Sequence, residues 1–493
     1  MGEKRRLTRR NFLRLSAVAA TGAVIAACAP ATPQIIEVEK EVPVKEVVVE
    51  TVVVEKEVVV EKPVEVVHLR TMWRTNPTEN PMLEELIDAW DEKDTNIRVE
   101  LIVVPWDEYE PKLMTMYAAG VAPDIFGIGG TNPFAERAVR GIVISLDPYM
   151  DTEPEVKEDM FPIAVEAYTL GGKLIALPHI ICYPGVFCNA TLFDEAGLDY
   201  PPVDWKGSGW TWDDMIETAK KLTLDKDGDG KIDQYGLSPG HSSPWYYTRM
   251  WGGDLVSEED YAAGVLHGWQ TDDPDVYNAC VNGLQAKADA TYKHEVTPTP
   301  ATMSALSEMG SPLKTGMVAM NFTGAWAIWG ELPEKFKFVA AANPLGGEKG
   351  KGTRGNQVWV DPLQICSQAK YPDAAWEFSR WMVTDEEALT IQIPYRAVVP
   401  VVQSAFPLYM KAWSGQLAMS DADQEKTILG GIEAATSDVP CHILVGWAAI
   451  RDIFSAELEP VWLGDKSAKE AVDTMIPLIE EAIQKNLEEL ELE

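Results

Sequence analysis

The sequence predicts an α/β fold divided between two lobes. Three observations predict it. From His68 to Ile128 the hydrophobic pattern runs strand, helix, strand, helix, strand, the order of a parallel sheet with crossover helices. At 493 residues the chain exceeds one ordinary domain. Its hydrophobic content of 46% and aromatic content of 9% can fill two cores.

The N-terminus reads as a targeting segment and is set apart from the fold. Lys4, Arg5, Arg6, Arg9 and Arg10 make it basic, and Thr8-Arg9-Arg10-Asn11-Phe12-Leu13-Arg14 resembles a twin-arginine export signal. Leu15 to Ala27 is apolar but Ala-rich, and too short for a spanning helix, which needs about 20 apolar residues. It ends in Ile25-Ala26-Ala27-Cys28, which resembles a bacterial lipobox with Cys28 as the lipidated residue. Residues 1–28 are therefore expected to be a signal peptide. The mature protein is then exported and tied by lipid to the outer face of the cytoplasmic membrane.

Residues 29–66 repeat Val/Glu/Lys units such as Val54-Glu55-Lys56-Glu57-Val58. Such a segment has no aromatic residue to build a core and reads as an extended tether without tertiary contacts. Valine alternating with charge also fits a β-hairpin or a self-associating stalk.

The globular part opens with a strand from His68 to Trp73 and a helix from Asn80 to Lys93, where Leu83, Leu86, Ile87 and Trp90 share one face. A strand follows at Ile97 to Val104, then a helix from Glu108 to Ala119 ended by Gly120, then a strand at Asp124 to Ile128. In such sheets ligands lie beyond the carboxyl ends of the strands. Trp73-Arg74-Thr75, Trp106 and Gly129-Gly130-Thr131-Asn132 stand at those ends.

The formal charge of −35 argues against nucleic acid or an anionic membrane surface as the main partner, since both would repel the chain. Apart from Cys28 there are five cysteines: Cys182, Cys188, Cys280, Cys366 and Cys441. An odd number cannot all pair internally; Cys182 and Cys188 are the candidate bridge, and buried unpaired thiols are the expectation.

Several segments carry a family resemblance. They are Trp106-Asp107-Glu108-Tyr109, Ala122-Pro123-Asp124-Ile125-Phe126, Gly172-Lys173-Leu174-Ile175-Ala176-Leu177-Pro178 and Asn189-Ala190-Thr191-Leu192-Phe193-Asp194-Glu195-Ala196-Gly197-Leu198. Trp210-Thr211-Trp212-Asp213-Asp214, Gly324-Ala325-Trp326, Ala374-Ala375-Trp376-Glu377-Phe378 and Val399-Pro400 continue the order. Together they make the chain resemble the extracellular solute-binding proteins that include maltose-binding protein. The resemblance implies a two-lobed periplasmic-binding-protein-like fold, with crossing hinge strands and an interlobe ligand cleft. It implies residues 67–180 plus 335–385 as lobe 1 and 183–334 plus 386–493 as lobe 2. It also implies a monomer that performs no chemistry on its ligand and hands it to the permease of an ABC importer. His179-Ile180-Ile181-Cys182-Tyr183 departs from maltose-binding relatives, which often have an acidic residue there.

Tryptophan is abundant, 17 residues, and sugars offer apolar C–H faces to aromatic rings and hydroxyls to planar polar groups. The resemblance puts Trp326 and Trp447 at positions that stack on a sugar. Trp73, Tyr183, Trp245 and Trp359 are further aromatic candidates, and Arg74, Thr75, Asn132, Asn356 and Asp361 are polar ones. Trp90, Trp376, Trp381 and Trp462 lie on apolar helix faces and read as core. Asp225, Asp227, Asp229 and Asp233, with Gly230, resemble an EF-hand calcium loop, although Gly236 stands where the closing glutamate belongs. Ordinary turn geometry accounts for the same residues, so a structural calcium is one reading and no cofactor the other. A secreted carbohydrate-active hydrolase shares this composition, and a polyol or a peptide would suit the same fold. A surface adhesin would fit the tether but leaves the cleft motifs unexplained.

Overall fold

Strand β1 (Val67–Arg74) lies between two parallel partners, β2 (Ile97–Val104) and the short β3 (Ile125–Phe126). The computed structural model describes residues 65–93, 95–129, 133–207, 209–238, 240, 243–355, 357–436 and 440–490. Cys28, the export signal and the tether up to residue 64 lie outside them, as do Asn132 and Asn356. Glu65 departs from the contact-free tether. Its carbonyl accepts from Asn96 Nδ2 at 2.7 Å, and its carboxylate accepts from the Tyr371 hydroxyl at 3.1 Å.

The helix between β1 and β2 spans Glu79–Asp91. Asn76 Oδ1 accepts from the backbone N–H of Thr78 and of Glu79, which satisfies donors that a helix start leaves open. Met82, Leu83, Leu86 and Trp90 form its buried stripe. Each of the aliphatic residues contributes about 1.5–3 kcal/mol by leaving water. The next helix, Tyr109–Ala118, returns the chain to β3.

Strands β4 (Thr169–Leu170) and β5 (Lys173–Leu174) make a small hairpin ahead of two consecutive buried strands, β6 (Leu177–Cys182) and β7 (Pro184–Asn189). These two join different sheets, so the chain crosses between lobes at Tyr183. Strands β8 (Tyr235–Leu237), β9 (Val318–Gly324) and β10 (Phe338–Ala341) complete the second sheet, in the order β10-β7-β9-β8. Strands β11 (Trp359–Ile365) and β12 (Val399–Pro400) return to the first, whose order is β12-β6-β11-β3-β1-β2. The parallel core expected from the sequence holds for β1, β2 and β3. Strand β11 pairs antiparallel with β3 and β6, and β12 antiparallel with β6, so the sheet is mixed.

Two boundaries differ from the sequence reading. Phe338–Ala341 pairs with Val186–Asn189 of the second sheet, so the chain recrosses between residues 342 and 358 and not near 335. Val399–Pro400 pairs with Ile180 and Ile181 of the first sheet, so the last crossing follows Pro400 and not Trp381. Both strands are placed by partners more than 100 residues away, and nothing in their local pattern carries that information.

A separate helical core closes the second lobe. Trp245, Leu284, Trp447, Phe454, Met475 and Ile479 interdigitate there. The helix Ala468–Glu489 starts with a capping box between Ser467 and Glu470. Among the described residues no helix is long and apolar enough to cross a membrane. Trp90, Trp376 and Trp381 are buried as expected, at 2%, 4% and 4% exposure.

Candidate ligand-binding cleft

A cleft of about 460 Å³ opens where strand ends of both sheets meet. Arg74 and Thr75 enter it from the end of β1, Trp106 from the turn after β2, and Ile128 from the turn after β3. Trp326 and Trp329 come from the 3-10 turn after β9, Trp359 and Asp361 from β11, and Trp245 from the helix Pro244–Met250. The site therefore lies at the carboxyl ends of the parallel strands, where topology leaves a crevice.

Trp326 and Trp359 meet edge to face, with centroids 4.6 Å apart and planes at 79°. Gly324 makes this possible: a Cβ there would sit 2.2 Å from the Trp326 ring. Only glycine lets the indole fold back over its own strand. Trp245 forms a further wall, held from behind by Trp447 at 4.4 Å.

The polar floor is a buried charge cluster. Arg74 donates through Nε to Glu79 Oε2 at 2.8 Å, and its Nη2 lies 2.7 Å from the same oxygen. Its Nη1 faces Asp361 Oδ2 at 3.8 Å, beyond hydrogen-bond range. The guanidinium carbon lies 5.6 Å from the Trp106 ring and 5.9 Å from that of Trp329. Burial works against the Arg74 charge, but Glu79 and Asp361 more than restore it and raise its pKa. Burial pushes the Asp361 carboxyl above its usual value, and Arg74 pulls it part of the way back. His179 lies behind this floor, and burial, then Arg396, lowers its pKa to about 3.

Of the residues singled out from the sequence, Thr75, Trp245, Trp326, Trp359 and Asp361 line this one cleft, and so does Arg74. Asn132 lies outside the described residues. Trp73 is 2% exposed and packs in the core without lining the cleft: its Nε1 donates to Thr71 Oγ1 at 2.9 Å and its ring meets His179 edge-on. Tyr183 is fully buried at the lobe crossing, against Phe187. Trp447 corrects an expectation: it does not line the cleft but packs in the helical core, against Trp245 and Phe454. The sequence reading did not single out Trp329, Ser243, Asn76 or His442, which also line the cleft. Trp329 had one signal available: three residues after Trp326, it ends the same turn.

Asp361 is the sole carboxylate lining the cleft among the described residues. A glycosidase needs two flanking the scissile bond. The four acidic residues of the candidate calcium loop are exposed. Ligand oxygens of Asp225, Asp227 and Asp229 lie within 4.8 Å of one another. Each of these carboxylates accepts backbone N–H groups of its own loop, and Asp233 accepts from Lys226 N. These bonds close the turn. Cys182 and Cys188, on strands of different sheets, are not bridged, and Cys182, Cys188, Cys280 and Cys366 are buried thiols.

Comparison with known proteins agrees with this geometry. A family profile described as bacterial extracellular solute-binding protein matches residues 75–389. A Brucella abortus protein named as a binding protein is 25% identical over 392 residues, 78% of this chain and 85% of that one. An ABC substrate-binding protein of Listeria monocytogenes, solved in complex with cycloalternan, superposes with a TM-score of 0.68 at 20% identity. The match covers 87% of this chain and 100% of that one. The maltose/maltodextrin-binding domain of Bdellovibrio bacteriovorus, bound to maltotriose, superposes with a TM-score of 0.65 at 18% identity, covering 85% and 100%.

Proposed function

The chain belongs to the bacterial extracellular solute-binding proteins, and from that membership we propose that it captures a mono- or oligosaccharide between its lobes. It then delivers the sugar to the permease of an ABC importer. The observation that carries the sugar reading is the corner made by Trp326 and Trp359 beside the Arg74–Asp361 pair. Perpendicular rings offer one face to stack on a pyranose and a second to flank it. The 3.8 Å gap between Nη1 and the carboxylate leaves a donor and an acceptor free to bind adjacent hydroxyls. The Listeria and Bdellovibrio structures, solved with cycloalternan and maltotriose, support the same reading. The reading requires no cofactor and no bond-breaking step.

The basic segment, apolar run and Cys28 support export through a twin-arginine signal and a lipid anchor, with residues 29–66 as the spacer. Sheet membership supports a lobe division at Tyr183, between 342 and 358, and after Pro400.

A thermal-shift screen of mono- and oligosaccharides, polyols, amino acids and peptides tests this. A ligand at 100 times its dissociation constant stabilises the fold by about 2.7 kcal/mol. A sugar that raises the melting temperature and is recovered unchanged is the expected result. Hits confined to peptides or polyols overturn the carbohydrate reading, and product formation overturns the binding role.

A further inference from the structure

Glu79 is 1% exposed and does not line the cleft, yet it joins two arginines. One of its oxygens takes Nε and Nη2 of Arg74, and the other lies 2.7 Å from Nη2 of Arg396. Arg396 is 1% exposed, lies 6.0 Å from the Trp73 ring, and has no acceptor for its Nε or Nη1 among the described residues. The cluster beneath the cleft therefore sets two guanidiniums against two carboxylates, Glu79 and Asp361. A charge in such a site is screened weakly, so its balance decides what the cleft admits.

We propose that Glu79 is a specificity-determining residue that cancels the Arg74–Arg396 pair, so that the cleft takes uncharged sugars and rejects their anionic counterparts. Arg74 alone, at the cleft wall, has the fork geometry that binds carboxylate or phosphate. Glu79 occupies two of its donors and leaves Nη1, which already faces Asp361. An anionic sugar would meet one partly engaged arginine and the Asp361 carboxylate, a like charge. This inference rests on the carbohydrate reading and adds the charge of the ligand.

The test uses the neutral mono- to trisaccharides of glucose, galactose and mannose, each beside its 6-carboxylate (uronate) form. Calorimetry measures both on the intact protein and on Glu79→Gln. The wild type should prefer the neutral sugar, and Glu79→Gln should shrink that preference by about tenfold or more, which corresponds to about 1.4 kcal/mol. The double variant Glu79→Gln with Arg396→Met removes one charge of each sign and should restore the preference. If Glu79→Gln does not fold, Arg396→Met alone serves, because it should widen the preference. A folded Glu79→Gln protein that binds the neutral sugar with unchanged preference overturns the proposal, as does an Arg396→Met variant that fails to widen it. A wild type that binds no member of the panel overturns the carbohydrate reading itself, a separate outcome.

Discussion

Trp326 and Trp359 stand perpendicular at the cleft, 4.6 Å between centroids, although one follows β9 of the second sheet and the other lies on β11 of the first. The pair thus spans the two sheets at the cleft. Trp326→Ala should weaken sugar binding by more than about 2 kcal/mol, roughly 30-fold, as the loss of a desolvated aromatic anchor does. Trp326→Phe should keep part of the affinity because a ring face survives. Calorimetric affinities on variants with matched melting temperatures check this. Unchanged affinity in Trp326→Ala would remove the ring from the site.

Trp447 should behave differently, because it is 4% exposed inside the helical core. Trp447→Ala should cost about 3–5 kcal/mol of folding stability through the cavity it leaves. Its effect on affinity should be secondary, arising through Trp245, whose ring it supports at 4.4 Å. Chemical denaturation without ligand measures the first effect. A variant of parental stability would place Trp447 outside the core.

Asp361 should make the affinity depend on pH. Burial pushes its carboxyl above the aspartate value of 3.8, with Arg74 opposing. A sugar hydroxyl would donate to the ionised form, so affinity should hold at neutral pH and fall as pH drops through the raised pKa. Charged hydrogen bonds contribute about 1.5–3 kcal/mol, so Asp361→Asn should bind about tenfold or more weakly and lose this acid limb. Titrations at several pH values read both effects. An acid limb that persists in Asp361→Asn would assign it to another group.

The local elements were legible in the sequence because their patterns are local. Ile97–Val104 forms the expected strand, and the helix Glu79–Asp91 starts one residue from its expected position. Six of the residues expected at the cleft also meet in one cavity, since strand-end residues are brought together by the sheet itself. The misses share a cause. Strands β10 and β12 are assigned by partners far along the chain. Glu79 reads as an ordinary acidic residue in a first helical turn until Arg74 and Arg396 are placed beside it. Trp447 fits a sugar-stacking position by resemblance, yet the helices around it fill the space a ligand would need.

The proposed lipid anchor at Cys28 can be tested apart from the fold. Changing Cys28 to Ala should release the protein from membranes, and changing Arg9 and Arg10 to Lys should block its export. Fractionation with metabolic lipid labelling reads both. A Cys28→Ala protein that stays membrane-bound as before would end the lipobox reading.

His179 should govern acid stability. Its ring is 1% exposed, and Nε2 lies 2.5 Å from Gln392 Oε1. The Gln392 amide nitrogen donates to the carbonyls of Met382 and Ala388, which turns its oxygen to the ring and makes Nε2 the donor. Burial first, then the Arg396 charge, lowers the histidine from 6.5 to about 3, so the folded protein holds it neutral. The sign follows from linkage. Above pH 6.5 neither state is protonated and no stability is lost. Between 6.5 and about 3 the unfolded chain binds a proton that the folded protein refuses, so stability falls as pH falls. The loss should total a few kcal/mol, on the order of 1.4 per pH unit. Replacing His179 with Gln removes the titrating group and should flatten this limb, whatever it costs at neutral pH. Denaturation midpoints measured from pH 7.5 to 4 on both proteins decide it. Parallel curves for wild type and His179→Gln would mean that other groups carry the acid sensitivity.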